Sequence, residues 1–156
     1  MTFHPLDIRL AEDGISIGPV PVVPRGNSVG TLTRILGAPD RIVSLSHNNT
    51  VYVYDRTGIR FWAEAGVVGE LQLVLETEAR ETFPTNSFVG PLEYQRRVLY
   101  PPIAGNALAN GNWPGFVQDT DPLQYGVVLF EAKKPLITYT AIINAQTGNV
   151  KTISAN

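Results

Sequence analysis

Polar and hydrophobic residues alternate with a period of two through the middle of the chain. The alternating segments are residues 41–46, 51–54, 59–64 and 70–76. Turn-forming residues such as Asn48, Asn49 and Gly58 separate them. Short period-two segments joined by tight turns predict an antiparallel meander of four strands. In the last strand the leucines at 71, 73 and 75 fall on one side, so we expect one buried face and one face largely exposed to water.

A hairpin and a helix are predicted before this meander. The hydrophobic residues of 6–10 and 15–17 flank Asp13-Gly14, a pair that favours a tight hairpin turn. Three prolines between 19 and 24 then predict an extended connection at a sheet edge or on the surface, because proline has no N–H for a central strand. Ser28, a good cap, precedes a period-3.6 stretch that ends at Gly37. We therefore expect one helix at 28–36, packed on the sheet.

The second half of the chain repeats this order of elements less clearly. A linker at 78–85 precedes a weaker hairpin, and a long loop at 101–122 is either functional or contains a short helix near 104–109. The predicted strands of this half are 88–94, 97–100, 124–131, 136–144 and 150–154. The sequence thus predicts an α+β fold, dominated by an antiparallel sheet, in one domain of residues 1–156. An internal pseudo-repeat with halves 1–78 and 86–156 is the alternative.

Composition limits the classes of function. The chain has 156 residues, of which 44% are hydrophobic and 17% charged, with no Cys and a formal charge of −2. This charge argues against a nucleic-acid binder, which needs an excess of Lys and Arg. There is no amino-terminal signal pattern and no run near 20 apolar residues, so we expect a cytoplasmic protein that does not contact a membrane.

No combination of residues predicts a catalytic, metal or cofactor site. His4 and His47 are the only histidines, and no Gly-x-Ser-x-Gly motif, dinucleotide fingerprint or P-loop occurs. Asp119 and Asp121 lie two apart in the long loop, but the other ligands of a calcium loop are missing. A pair of carboxylates for hydrolysis is not visible in sequence, since only its spatial distance matters. We therefore expect a protein that binds a partner without a cofactor, and a hydrolase is the third choice.

Two features of the meander predict a surface that binds a protein. Five acidic residues between 64 and 81 are opposed only by Arg80, which would steer a basic partner. On the strand 59–64, Arg60 and Trp62 share one face, and this mixture is typical of interface hot spots. The alternative is that both faces of the sheet are covered, which makes Trp62 a core residue. The predicted partner-binding residues are Tyr52, Tyr54, Arg60, Trp62, Glu64, Glu70, Gln72 and Glu76.

Residues 26–76 carry a resemblance to a known family. Gly26-Asn27-Ser28, then Leu36-Gly37-Ala38-Pro39-Asp40 and the tyrosine pair of Tyr52-Val53-Tyr54, resemble the SmpA/OmlA outer-membrane assembly lipoproteins and the β-lactamase-inhibitor proteins. The resemblance implies a helix packed on a meander. The lipidated Cys of the lipoproteins is absent here, whereas the protein-inhibitor branch is compatible with the sequence.

The chain as a whole is similar to bacterial toxin immunity proteins in size, build and mild acidity. This likeness implies neutralisation of a secreted toxin by direct protein–protein binding. A small-ligand-binding β domain and an envelope-assembly factor are the alternatives. An apolar pocket would favour the ligand-binding class.

Overall fold

Two β-sheets form the scaffold, and two short helices pack with them. The computed structural model describes residues 7–111, 113–119 and 128–156. The first half contains β1 (Ile8–Leu10), β2 (Ile15–Ile17), β3 (Val20–Val22), α1 (Val29–Leu36), β4 (Arg41–Ser46), β5 (Asn49–Tyr54), β6 (Ile59–Glu64) and β7 (Val67–Val74). The second half contains β8 (Leu92–Tyr94), β9 (Arg97–Leu99), α2 (Gly105–Ala109), β10 (Val117–Gln118), β11 (Leu129–Lys133), β12 (Thr138–Ile143) and β13 (Val150–Ala155).

The small sheet has the strand order β3-β2-β1-β8-β9. The predicted hairpin forms its β1–β2 pair, with Leu10 opposite Ile15 across the Asp13-Gly14 turn. The proline-rich connection supplies β3, which lies at the sheet edge as expected and exposes Pro21. Strands β1 and β8 run parallel, with Ile8 opposite Leu92. This pair joins the two halves of the chain in the small sheet.

The large sheet has the strand order β10-β11-β12-β13-β7-β6-β5-β4. Its neighbouring strands are antiparallel throughout. The four-stranded meander β4–β7 is confirmed, and β7 pairs with β13 at the centre of the sheet. In both sheets the two halves of the chain therefore meet at one inner pair of strands, with the strand order of one half mirroring that of the other.

Helix α1 begins and ends where the sequence predicts. The Ser28 side chain accepts a hydrogen bond from the Thr31 N–H and caps the helix. Gly37 ends it at a φ of 85°, a backbone conformation that glycine adopts without steric cost. Helix α2 confirms the short helix suspected in the long loop. None of the helices in the described part of the chain is long and apolar enough to cross a membrane.

The core lies between the two sheets. The large sheet contributes one face, which includes Phe61, Leu73 and Tyr139. The small sheet and the helices contribute the residues opposite, among them Ile17 and Leu32. The Tyr139 hydroxyl also donates to the carbonyl oxygen of Ala11 at 2.7 Å, which ties β12 to the β1–β2 turn. This packing leaves the second face of the large sheet for the candidate site.

Two expectations need correction. The fold is mainly β rather than α+β, since α1 and α2 contribute only eight and five residues to the described structure. The second face of β7 is not wet, because Gln72 and Val74 are 5% and 0% exposed. The segment 77–87, which contains the predicted linker 78–85, explains this burial because it folds back over that face. We call residues 77–87 the strap.

Candidate functional site

Four of the predicted partner-binding residues lie side by side on one face of the large sheet. Arg60 on β6 is directly opposite Gln72 on β7, and Trp62 is opposite Glu70. Cross-strand partners project from the same face of a sheet, so these side chains form one cluster. Arg60 and Gln72 are buried, whereas Trp62 and Glu70 are partly exposed. Only part of the predicted surface is therefore open to a partner.

Hydrogen bonds link the cluster into a chain. The Arg60 Nε–H donates to Gln72 Oε1 at 2.7 Å, and Gln72 Nε2 donates to the Ser154 hydroxyl oxygen at 2.8 Å. The Ser154 hydroxyl also lowers the pKa of the Glu70 carboxylate, against the effect of burial. The chain crosses three strands, from β6 through β7 to β13, and it satisfies polar groups that would be costly to bury unpaired.

The strap holds the other side of Arg60. The Arg60 Nη1 group donates to the carbonyl oxygen of Thr82 at 2.7 Å. Its guanidinium carbon lies 3.8 Å from the centre of the Phe83 ring and 4.6 Å from that of Trp62. Arginine over an aromatic face is a favourable electrostatic contact. Arg60 is therefore sandwiched between two rings, and its Nε and Nη1 groups both donate to groups inside the molecule.

A second arginine also fixes the strap. Arg41 of β4 donates to the carbonyl oxygens of Glu81 and Phe83. The same guanidinium forms a two-pronged ion pair with Asp55, with distances of 3.0 Å from Nε and 2.7 Å from Nη2. Asp55 also accepts a hydrogen bond from the Thr85 N–H at 2.8 Å. The strap is therefore held by an arginine from each of two strands, Arg41 of β4 and Arg60 of β6.

The electrostatics of the cluster follow from burial. Burial lowers the pKa of Arg60 to about 10, against the attraction of Glu70 and Glu78. Burial likewise raises the pKa of Glu70, although the Ser154 hydrogen bond and Arg60 oppose the shift. At neutral pH Arg60 therefore keeps its charge. The cluster thus stabilises the charged form of Arg60 through its hydrogen bonds. The same contacts hold the partly exposed Trp62 ring in a fixed position.

The other acidic residues of the predicted patch are separated. Glu64 is exposed at the end of β6. Glu76 lies beyond β7 and accepts a hydrogen bond from the Thr147 hydroxyl at 2.7 Å. Glu78 pairs with Lys151 at 2.6 Å and with Arg80 at 3.0 Å. The acids that the sequence grouped into one negative patch are thus partly neutralised and do not form one surface.

Tyr52 and Tyr54 do not belong to the cluster. Both lie on the core face, where the Tyr52 ring stacks on Phe61 with a centroid distance of 4.7 Å. Tyr54 is only 4% exposed and donates to the Gly37 carbonyl oxygen at 2.9 Å, beyond the end of α1. The expectation that both tyrosines are exposed is wrong for Tyr54, whereas Tyr52 is partly exposed on the core face.

One exposed surface was missed by the sequence analysis. Strand β4 lies at the edge of the large sheet, and Ile42 and Leu45 are 61% and 49% exposed. Val43 of β4 is opposite Val51, and Val51 is opposite Trp62, so β4 and Trp62 lie two strand spacings apart, roughly 10 Å. We call Ile42, Val43, Leu45, Trp62 and Glu64 the β4 margin, in which Val43 projects from the same sheet face as Trp62 and Ile42 projects from the other face. The lack of Lys and Pro in residues 42–46 was a signal for it.

The other candidate ligands do not come together. His47 is exposed in the β4–β5 turn, whereas His4 and Asp121 lie outside the described residues. Within the described ranges, no three His, Asp or Glu side chains converge in a way that could hold a metal ion.

Comparison with known proteins places the chain in a family. Residues 7–99 match the model of a domain of unknown function, DUF7738. No curated protein and no solved structure matches the chain. The matched segment runs from β1 to β9, so it contains the whole small sheet, α1, the meander and the strap. Since this segment is well over half of the 156 residues, the protein belongs to the DUF7738 family.

Proposed function

We propose that the protein acts by binding another protein through the β4 margin. The observation that carries this proposal is the open edge of β4. A six-residue strand at a sheet edge presents unpaired N–H and C=O groups to which an extended segment of a partner adds as a further strand. The partner class that the sequence favours is a secreted toxin, and the binding would neutralise it.

The contrast with the other sheet edges supports β4 as the binding strand. Of the other edge strands, β3 has three residues and exposes Pro21, β9 has three residues and exposes Arg97, and β10 has two residues. Short length, proline and charge are the usual protection of an edge against pairing. Strand β4 is twice as long as β3 or β9, and Ile42 and Leu45 are among its most exposed side chains.

Trp62 supplies an aromatic anchor beside this edge. Its ring is braced by the guanidinium of Arg60, which the strap and Gln72 hold in place. A rigid, partly exposed tryptophan loses little conformational entropy on binding, and tryptophan is enriched among interface hot spots. Glu64 at the end of β6 adds a charged rim suited to a basic partner segment.

The test begins with the genes on either side of the one for this protein: the product of a neighbouring secreted-toxin gene is purified and titrated with the protein. Ile42→Lys places a charge on the open edge and should weaken binding at least about tenfold. Trp62→Ala should weaken it by about 2 kcal/mol. Leu136→Lys is the matched control, since Leu136 is 65% exposed and lies between β11 and β12, outside the β4 margin.

Calorimetry gives the affinities and urea unfolding verifies each fold. Equal losses of affinity for Ile42→Lys and Leu136→Lys would show that an added surface charge weakens binding wherever it is placed. Full affinity of both Ile42→Lys and Trp62→Ala would rule out the β4 margin. Absence of any binding to the toxin would remove toxin neutralisation as the function.

A further inference from the structure

A cleft opens between the β8–β9 hairpin and the residues Ala107, Trp113 and Pro114, remote from the β4 margin. Its volume is about 510 Å³, a size common among sites for small molecules. Its lining residues are Tyr94, Gln95, Arg97, Leu99, Ala107, Trp113 and Pro114. Leu99, Ala107, Trp113 and Pro114 supply apolar groups to this lining, and Gln95 and Arg97 supply polar ones.

The walls of this cleft are held by packed aromatic rings. Tyr94 stacks on Trp113 with a centroid distance of 5.3 Å, and Phe116 contacts both rings edge-on at 5.4 and 5.3 Å. The Tyr94 hydroxyl donates to the carbonyl oxygen of Pro114. Tyr94, Trp113 and Phe116 are 3%, 3% and 7% exposed. The apolar walls are therefore formed before any ligand arrives.

A positive charge stands beside these walls. Arg97 is directly opposite Tyr94 in the β8–β9 pair, so its side chain projects from the same face as Tyr94. Within the described ranges, Arg97 forms no ion pair. Glu93 projects from the opposite face of β8, and Glu12 is paired with Lys134 at 3.2 Å. The cleft therefore places the apolar side chains of Leu99 and Ala107 next to a cation that forms no ion pair among the described residues.

The turn that carries this cation has an unusual backbone. Gln95 and Arg96 have φ values of 50° and 67°, although residues other than glycine rarely adopt positive φ. The conformation brings the Gln95 amide within 3.4 Å of both the Tyr94 hydroxyl and the Pro114 carbonyl oxygen. The turn thus keeps the Gln95 side chain at the cleft, at a position where glycine would form the hairpin more easily.

We propose that this cleft binds a small molecule with an apolar body and a carboxylate. The apolar body contacts Leu99, Ala107 and the edge of Trp113, and the carboxylate pairs with Arg97. Arginine recognises a carboxylate by two parallel hydrogen bonds, which fixes the orientation of the ligand as well as its charge. A neutral ligand of the same shape would leave Arg97 unused.

The competing explanation is that Arg97 only protects the β9 edge from pairing with another strand. A titration with 4-phenylbutyrate, followed by the indole N–H signals in nitrogen–proton NMR spectra, separates the two. The chain contains two tryptophans, and the spectrum of Trp62→Phe identifies the signal of Trp113. Saturable movement of the Trp113 signal at low millimolar probe is expected.

Variants then test charge and shape separately. Arg97→Gln should weaken 4-phenylbutyrate at least about tenfold, or 1.4 kcal/mol, and should leave the neutral 4-phenylbutyramide unchanged. Ala107→Phe fills the cleft and should abolish binding of both compounds. Arg56→Gln is the control, because Arg56 is 88% exposed beyond β5. Urea unfolding verifies each fold.

Two results would overturn the proposal. One is the absence of a saturable Trp113 shift in the wild-type protein, and the other is equal affinity of wild type and Arg97→Gln for 4-phenylbutyrate. Neither result bears on the β4 margin, whose test uses a protein partner and different variants.

Discussion

At the scale of single residues, Arg60 has the largest structural role in the candidate site. It donates to Gln72 and to the strap, and it lies between the rings of Trp62 and Phe83. A buried charge is retained at low cost only when its hydrogen bonds are made. Arg60 therefore acts on a partner through Trp62, by holding that ring, rather than by direct contact.

Arg60→Ala should destabilise the protein by about 3 kcal/mol, because it leaves Gln72 and the Thr82 carbonyl without their donor. Arg60→Lys keeps the charge but not the planar fork and should recover only part of this loss. Urea unfolding measures both. Arg56→Ala, at an exposed arginine, should change stability by less than about 0.5 kcal/mol. If Arg60→Ala changed the free energy of unfolding as little as Arg56→Ala, the contacts of Arg60 would not stabilise the fold.

Asp55 should make the protein sensitive to acid. The hydrogen bond from Arg41 is the main reason that the pKa of Asp55 falls to about 2. A carboxylate whose pKa is lowered in the folded state stabilises the fold at any pH above its pKa in the unfolded chain, about 3.9. This contribution to the free energy of unfolding is lost as the pH falls from about 4 to about 2. Asp55→Asn should lower the free energy of unfolding by roughly 2 kcal/mol at pH 7 and should change it little at pH 2.

Urea unfolding of wild type and Asp55→Asn across this pH range provides the measurement. A difference in unfolding free energy that stays constant with pH would show that the Arg41–Asp55 pair is not the source of the effect.

At the scale of elements, two glycine turns of the meander make a matched pair. Gly58 and Gly66 have φ values of 74° and 82°. A Cβ added at Gly58 would lie 2.1 Å from the backbone nitrogen of Phe88, whereas one at Gly66 would meet nothing within 4 Å. The two positions share the conformational requirement and differ only in the space available.

Gly66→Ala should therefore cost about 1 kcal/mol, which is the penalty of a positive φ alone. Gly58→Ala should lower the free energy of unfolding by roughly 4 kcal/mol or more, because it also displaces the backbone at Phe88, directly after the strap. Urea unfolding of both variants gives the comparison. Equal losses would mean that residues 87–88 do not pack closely against the β5–β6 turn.

The elements that the sequence predicted well are those with a local signal. Helix α1 has its cap at Ser28 and its terminating Gly37, and the bounds of β4 and β6 follow directly from the alternation. The strap has no periodicity. Its position depends on Arg41 and Arg60 reaching its carbonyl oxygens from other strands, and no local pattern encodes such contacts.

The candidate site shows the same division. Alternation correctly grouped Arg60, Trp62, Glu70 and Gln72 on one face. It did not show that Tyr52 and Tyr54 lie on the core face, since which face of β5 is covered depends on where α1 docks. The cleft beside Trp113 joins residues from a hairpin and a distant loop, so only the tertiary structure reveals it.

At the scale of the whole molecule, the mirrored strand orders make the two halves depend on each other. Strand β13 covers the inner edge of β7, with Ile153 opposite Leu73 and Ala155 opposite Leu71. The family match ends at residue 99, before this partner strand. A fragment that ends there would present β7 as a long open edge with hydrophobic neighbours.

The fragment 1–99 should therefore self-associate, whereas the full chain should not do so through β7. Size-exclusion chromatography with light scattering compares the two at equal concentration, and circular dichroism verifies strand content. Co-expression with the fragment 100–156 should reverse the association by restoring β13. A folded fragment 1–99 in the same oligomeric state as the full chain would contradict this dependence.

The central place of β13 also has a consequence for biosynthesis. Ser154 pairs with Gln72 but leaves the ribosome 82 residues later, which corresponds to roughly 4–16 s of translation. During that interval the β7 edge of the nascent meander lacks its partner strand. Glu70 and Gln72 are polar residues of β7, the strand that has no partner during this time. We expect them to oppose its association with neighbouring nascent chains on the same polysome.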